Sequence, residues 1–214
     1  IRLDKYLADM GCGTRQEVKK FIRSGQVSVD GIVVKKPETK VEQTVQEVFL
    51  NGEKVGYESF EYYMLNKPAG VISATEDQGC QTVVDLIKDK KRKDLFPVGR
   101  LDKDTEGLLL ITNDGALAHR LLSPKKHVDK CYFARICGKV TEEDVRSFEK
   151  GVNIGSQEQP EITMPGKLEI ITSDDISKIR LTIQEGKFHQ VKRMFQAVGK
   201  EVIYLKRLRM GTLI

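Results

Sequence analysis

PVGRLDKDTEGLLLITNDG, residues 97–115, sets an arginine and a carboxylate, Arg100 and Asp102, in a polar turn directly ahead of the apolar run Leu108-Leu109-Leu110-Ile111. A short apolar run bounded by turn residues reads as a buried strand, and Asn113-Asp114-Gly115 reads as the sharp reversal that closes it. An acid delivered at the mouth of a strand is held by rigid scaffold, which suits chemistry better than solvation does.

Around this stretch the chain carries further strand and helix signals. Tyr62-Tyr63-Met64-Leu65 reads as a strand stopped by Asn66-Lys67-Pro68, Cys131 to Ile136 as a second, and Lys178 to Gln184 alternates like a third. Thr141 caps a helix that ends at Gly151. Another helix runs from about His189 to Val198, with Val191, Met194, Phe195 and Val198 inward and Gly199 stopping it. The basic cluster Lys88, Lys90, Lys91, Arg92 and Lys93, flanked by Asp89 and Asp94, reads as an exposed loop or helix end.

Residues 1–58 read as a separate small module, followed by a linker at Gly56 to Ser59. Leu3, Tyr6, Leu7 and Met10 fall at helical spacing up to Gly11. Thr14 with Glu17 makes a capping box for a second helix, which Gly25 closes. Val27-Ser28-Val29 and Ile32-Val33-Val34, split by Asp30-Gly31, form a strong hairpin signal. On the second helix Arg15, Lys19 and Arg23 lie at i, i+4 and i+8 with no acid between them, a face suited to a nucleic-acid backbone.

The composition narrows the function classes. The 214 residues carry a net charge of +5, with 39% hydrophobic and 31% charged residues, as expected of a globular chain long enough for one large domain or two unequal ones. No apolar run approaches the ~20 residues of a membrane span, and no signal-peptide pattern opens the chain. The 4 cysteines and 3 histidines form no metal-ligand pattern, so reduced thiols in a cytoplasmic protein are the simplest expectation. The start at Ile1 without methionine and the stop at Ile214 in strand-like sequence lead us to expect trimmed ends.

Several chemistries have no support. There is no GxGxxG, no phosphate-loop motif and no serine in a nucleophile elbow. What remains is Arg100, Asp102, Tyr132 and the basic residues of the last helix. Asp102 suits a nucleophile toward a sugar carbon, a general base, or a surface acid paired with Arg100, and composition alone favours the ion pair. Asp104 and Glu106 compete for any catalytic role, and spacing does not choose among the three. Tyr132 by itself reads as strand packing. Lys192 and Arg193 share the polar face of the last helix with His189 and Gln196, near Lys187, Lys200, Lys206, Arg207 and Arg209, a density that suits a phosphate backbone.

Over nearly its whole length the sequence resembles the RsuA-like family of ribosomal RNA pseudouridine synthases. RLDKYL, TRQEVKKFIRSGQVSVDG and IVVKKP are similar to the N-terminal RNA-binding module of these enzymes. YYMLNKPAGVIS, GRLDKDTEGLLLITNDGALAHRLLSP with VDKCY, and EGKFHQVKRMFQAVG are similar to their catalytic domain. The resemblance implies an α+β fold, with a helix–hairpin RNA-binding module at 1–58 and a domain at 59–214 built on a mixed, mostly antiparallel sheet flanked by helices. It also implies isomerisation of a uridine, detached at N1 and rejoined through C5, with no metal and no organic cofactor.

The same resemblance assigns the essential aspartate to Asp102, the active-site tyrosine to Tyr132, and the basic partner of the aspartate to Lys192, with Arg193 as the alternative. Such a cation keeps Asp102 ionised in a closed pocket. The family often has arginine there, so lysine gives up bidentate geometry. A uridine in folded RNA must be extruded at a cost of roughly a few kcal/mol. Arg100 is the candidate to fill the vacated space, His189 and Arg193 are further RNA contacts, and Arg15, Lys19 and Arg23 are first-choice phosphate binders.

The wording of SPKKHVDKCY and FHQVKRMF inclines the reading to small-subunit over large-subunit ribosomal RNA, free or in an assembly particle. The expected protein is a monomer with no membrane partner. A non-catalytic RNA chaperone is the competing class. A glycosidase or nuclease pairing Asp102 with Asp104 is disfavoured, because acids two apart on an extended segment point to opposite faces.

Overall fold

The Thr14–Glu17 capping box closes reciprocally: the Thr14 amide donates to Glu17 Oε2 at 2.7 Å, and the Glu17 amide to the Thr14 hydroxyl at 3.3 Å. It starts helix α2 (Arg15–Arg23), which packs beside α1 (Leu3–Asp9). Strands β1 (Val27–Val29) and β2 (Ile32–Val33) pair across Asp30-Gly31. Both turn residues take positive φ, 50° and 79°, the handedness that matches strand twist in a two-residue hairpin. With β3 (Val48–Leu50) and β4 (Glu53–Val55) they form an antiparallel sheet of order β2-β1-β3-β4. Leu3, Tyr6, Leu7, Val18, Ile22, Val27 and Val48 fill the core beneath it.

The computed structural model describes all 214 residues and divides them into two compact units. The smaller comprises Ile1–Glu61 and Ile87–Leu95; the larger comprises Tyr62–Leu86 and Phe96–Ile214. Two expectations change here. The segment expected as a linker is packed down, with the Tyr57 ring 4.8 Å from Tyr6 and its hydroxyl donating to Asp9 at 3.0 Å. The basic cluster is neither a helix end nor wholly exposed. Arg92 is buried, paired with Asp94 at 2.6 Å and placed 5.5 Å over the Tyr57 ring, and it donates to the Glu58 carbonyl at 3.1 Å.

In the larger unit, strands β5 (Tyr62–Lys67), β6 (Phe96–Pro97), β7 (Glu106–Thr112), β8 (Lys130–Cys137), β9 (Lys167–Thr172), β10 (Ile176–Ile183) and β11 (Glu201–Met210) make one sheet. Its order is β5-β7-β11-β8-β10-β9, with β6 also paired to β7. Only β7 and β11 run parallel; every other pairing is antiparallel, the mixed sheet expected. Helices α3 (Gly115–Leu122), α4 (Glu142–Lys150) and α5 (Gln190–Ala197) flank it. β7 is buried on both faces, which explains its unbroken apolar run. Asn113-Asp114-Gly115 does not reverse the chain into another strand. Asp114 instead caps α3, accepting the Leu117 amide at 2.9 Å.

At the parallel crossing Gly107 has φ 104°, and a Cβ there would sit 2.1 Å from the Arg207 carbonyl oxygen. Only glycine lets β7 and β11 meet. We therefore expect Gly107→Ala to destabilise the fold by ~3 kcal/mol or more, from strained backbone plus overpacking. Gly115→Ala, at an unstrained helical position with open space around it, should stabilise by ~0.4–1 kcal/mol. Denaturant unfolding of the two variants checks both signs.

Candidate active site

The loop that carries Asp102 is tied down before its acid does anything. Lys67, at the end of β5, is buried, and its ammonium donates to the carbonyls of Pro68, Lys103 and Thr105 at 3.0, 3.2 and 2.8 Å. The Gly70 amide donates to the Lys103 carbonyl at 2.7 Å. The Ser73 hydroxyl donates to the Leu101 carbonyl at 2.8 Å and accepts the Leu101 amide at 3.0 Å. The segment 67–73 thus grips residues 101–105 from one side. Burial pushes the Lys67 pKa down, and the nearby Asp104, Asp102 and Glu106 oppose that shift.

The second wall is the turn into α5. Glu185 is buried and accepts the Met164 amide and the Gln190 side-chain amide, both at 2.7 Å. Gln190 accepts the Lys187 amide at 2.8 Å. His189 takes a left-handed conformation, φ 47°, at the start of the helix. One turn on, Lys192 points back to the acids. Its Nζ lies 3.1 Å from Asp102 Oδ2, and 2.7 and 2.9 Å from the two Asp104 oxygens. His189 Nε2 is 3.5 Å from Asp102 Oδ1.

β8 supplies the third wall, where Tyr132 is buried between Leu181 of β10 and Arg207 of β11. Arg100, Leu101, Asp102, Thr105, Tyr132, His189 and Lys192 line one small cavity of about 70 Å³. A wider cleft of about 560 Å³, lined by Ile72, Ser73, Arg100, Asp102, Lys130, Phe188 and His189, opens beside it.

The geometry brings Asp102, Tyr132, Lys192, His189 and Arg100 together and changes three expectations. Asp102 pairs with Lys192, not with Arg100, which is exposed. Asp102 and Asp104 are not on opposite faces. The Thr105 amide donates to the Asp102 carbonyl at 3.0 Å, a turn that converges both carboxylates on one ammonium. Arg193 does not line the cavity; it donates to the Ile154 carbonyl at 2.7 Å, to Glu161 at 2.6 Å and to the Phe188 carbonyl at 3.0 Å. Glu106 is engaged by the Tyr204 hydroxyl at 2.7 Å. Sequence reasoning weighed Asp104 and set it aside, and it missed Lys67, Ser73, Glu185 and Gln190 as site-building residues. Lys67, Ser73, Glu185 and Gln190 sit inside the quoted blocks, which was the available signal. In the smaller unit, Arg15 and Arg23 are exposed and Lys19 half-buried on α2.

In the larger unit an acid, a cation and an aromatic ring therefore converge on one cavity. Residues 61–197 match the family described as RNA pseudouridylate synthase and residues 1–46 match the S4 domain, and the chain belongs to the RNA pseudouridylate synthase family. It is 54% identical to the uncharacterized RNA pseudouridine synthase YtzG of Bacillus subtilis, over 99% of this chain and 88% of that protein. It is 41% identical to ribosomal large subunit pseudouridine synthase B of the same organism, over 96% of this chain and 84% of the relative. Identity to ribosomal small subunit pseudouridine synthase A of Vibrio cholerae is 39%, over 99% and 89%. No helix is long and apolar enough to cross a membrane.

Burial tends to lower the Lys192 pKa, but hydrogen bonds to Asp104 and Asp102 outweigh it and hold the pKa above the usual lysine value. Asp104→Asn removes the stronger of these opposing contacts. The ammonium should then lose its proton at a lower pH than in the unaltered protein, while staying charged at neutral pH. NMR titration of Cε-labelled lysine reads the midpoint, and an unchanged midpoint would show that Asp104 does not hold Lys192.

Proposed function

We propose that this pseudouridine synthase converts one uridine of small-subunit ribosomal RNA, with Asp102 as nucleophile, Lys192 as its cationic partner and Tyr132 as the ring that stacks on uracil. The observation that carries the assignment is the Asp102–Lys192 pair at 3.1 Å, in the cavity that Tyr132 also lines. Asp104, the nearest competitor, is 72% exposed and outside that cavity.

A carboxylate can attack the ribose carbon as the N1 bond breaks, then leave when the turned uracil bonds through C5, splitting a hard step into two easier ones. The C5 proton is lost at the end. Tyr132 lines the cavity, where a phenol hydroxyl can assist that proton loss. Lys192 offsets the charge of Asp102 once RNA excludes water from the cleft. Arg100, exposed at the rim, fits the space an extruded base leaves in the RNA. Arg15, Lys19 and Arg23 give the smaller unit a cationic stripe for phosphates, which fixes position without reading sequence.

The choice of small-subunit RNA rests on the SPKKHVDKCY and FHQVKRMF wording, and relatives named for either subunit are about equally similar. Incubation with RNA tritiated at uridine C5 separates the outcomes. Release should occur from small-subunit RNA or its precursor particle, and Asp102→Asn should lower it by ~10³-fold or more while RNA binding persists. Release from large-subunit RNA alone overturns the subunit and keeps the chemistry. An active Asp102→Asn variant overturns the nucleophile. Binding without release from either RNA favours an assembly factor.

A further inference from the structure

The wider cleft has an aromatic rim that the chemistry above leaves unused. Phe188 is 71% exposed, yet its ring is held in place. One face is covered by the His189 imidazole, with centroids 3.8 Å apart and planes 20° apart. Its carbonyl accepts Arg193 Nη1 at 3.0 Å, and Arg193 is itself fixed to the Ile154 carbonyl and Glu161. His189 takes a left-handed backbone, φ 47°, and both it and Phe188 line the wider cleft. The other ring face looks onto solvent beside Arg100 and Lys103, both exposed cations of the same cleft.

We propose that the open face of Phe188 is a stacking shelf for the unpaired base next to the target uridine, a subsite separate from the Asp102 cavity. The inference rests on the RNA-modifying reading above and adds to it. Extruding a uridine strips stacking from its neighbour, and an aromatic ring replaces that stacking for any base, since every base has a π-face. The placement fits. His189 reaches to 3.5 Å from Asp102, and Phe188, stacked on that imidazole, lines the wider cleft and not the small cavity. Arg100 and Lys103 lie where the strand's phosphates pass. A protein partner would need a broad apolar patch, whereas this ring stands among cations.

The chain contains no tryptophan, so Phe188→Trp installs a single fluorescent reporter at the shelf. Total ribosomal RNA should quench it and shield it from acrylamide. Polyphosphate of equal charge, which has no bases, should do neither. In the tritium assay, Phe188→Ala should raise the RNA concentration for half-maximal release by ~5–150-fold. Its saturating rate should stay within about 3-fold. Phe188→Tyr should restore affinity, and Phe188→Leu should not. No quenching by RNA, equal quenching by polyphosphate, or a leucine that serves as well as tyrosine overturns the shelf. Absence of release by the unaltered protein overturns the functional reading instead, and the fluorescence arm still decides the shelf.

Discussion

The buried ammonium of Lys67 is the contact on which the site depends. Taking a lysine out of water costs several kcal/mol unless its protons find acceptors, and here three carbonyls supply them. Two of the three belong to residues 103 and 105, so satisfying Lys67 and fixing the Asp102 loop are one event. The same loop's acids work against the loss of charge that burial imposes on Lys67. Scaffold and site therefore stabilise each other. A neutral side chain at 67 would take the ammonium from all three carbonyls, leaving that of Lys103 with the Gly70 amide, and would loosen the backbone that aims Asp102.

A matching arrangement holds the opposite wall. Glu185 and Gln190 close the turn before α5, and Arg193 ties that helix to the loop at 154–161. Neither network touches the small cavity's acid directly. Their common effect is that Lys192, Asp102 and Asp104 meet on backbone fixed from both sides, the kind of preorganisation that electrostatic catalysis uses.

Local signals were legible in the sequence, and distant ones were not. The capping box at Thr14, the Asp30-Gly31 turn and the apolar run of β7 are each decided by neighbours a few residues away, and each formed as read. β11, the central strand beside β7 and β8, was read only as basic density. Its Lys206, Arg207 and Arg209 hide the apolar positions between them. Arg207 is nevertheless buried because its guanidinium donates to the Leu108 carbonyl at 2.7 Å, a partner 99 residues away. Asp104 was discounted by an alternation rule that holds for extended chain, and the Asp102–Thr105 turn breaks its premise. Resemblance picked out Asp102, Tyr132 and Lys192; folding then brought the three to one cavity.

Lysine at 192 gives this site a different logic from that of an arginine. A guanidinium fork engages one carboxylate with two parallel bonds, whereas an ammonium with three free donors reaches two acids at once, as Lys192 does with Asp102 and Asp104. Asp104 is 72% exposed and outside the small cavity, so Asp102 is the one carboxylate that lines it, among Arg100, Lys187 and Lys192. One ammonium on α5 thus joins the cavity's acid to the exposed acid at its mouth, and the loop that carries both is fixed to the helix at two points.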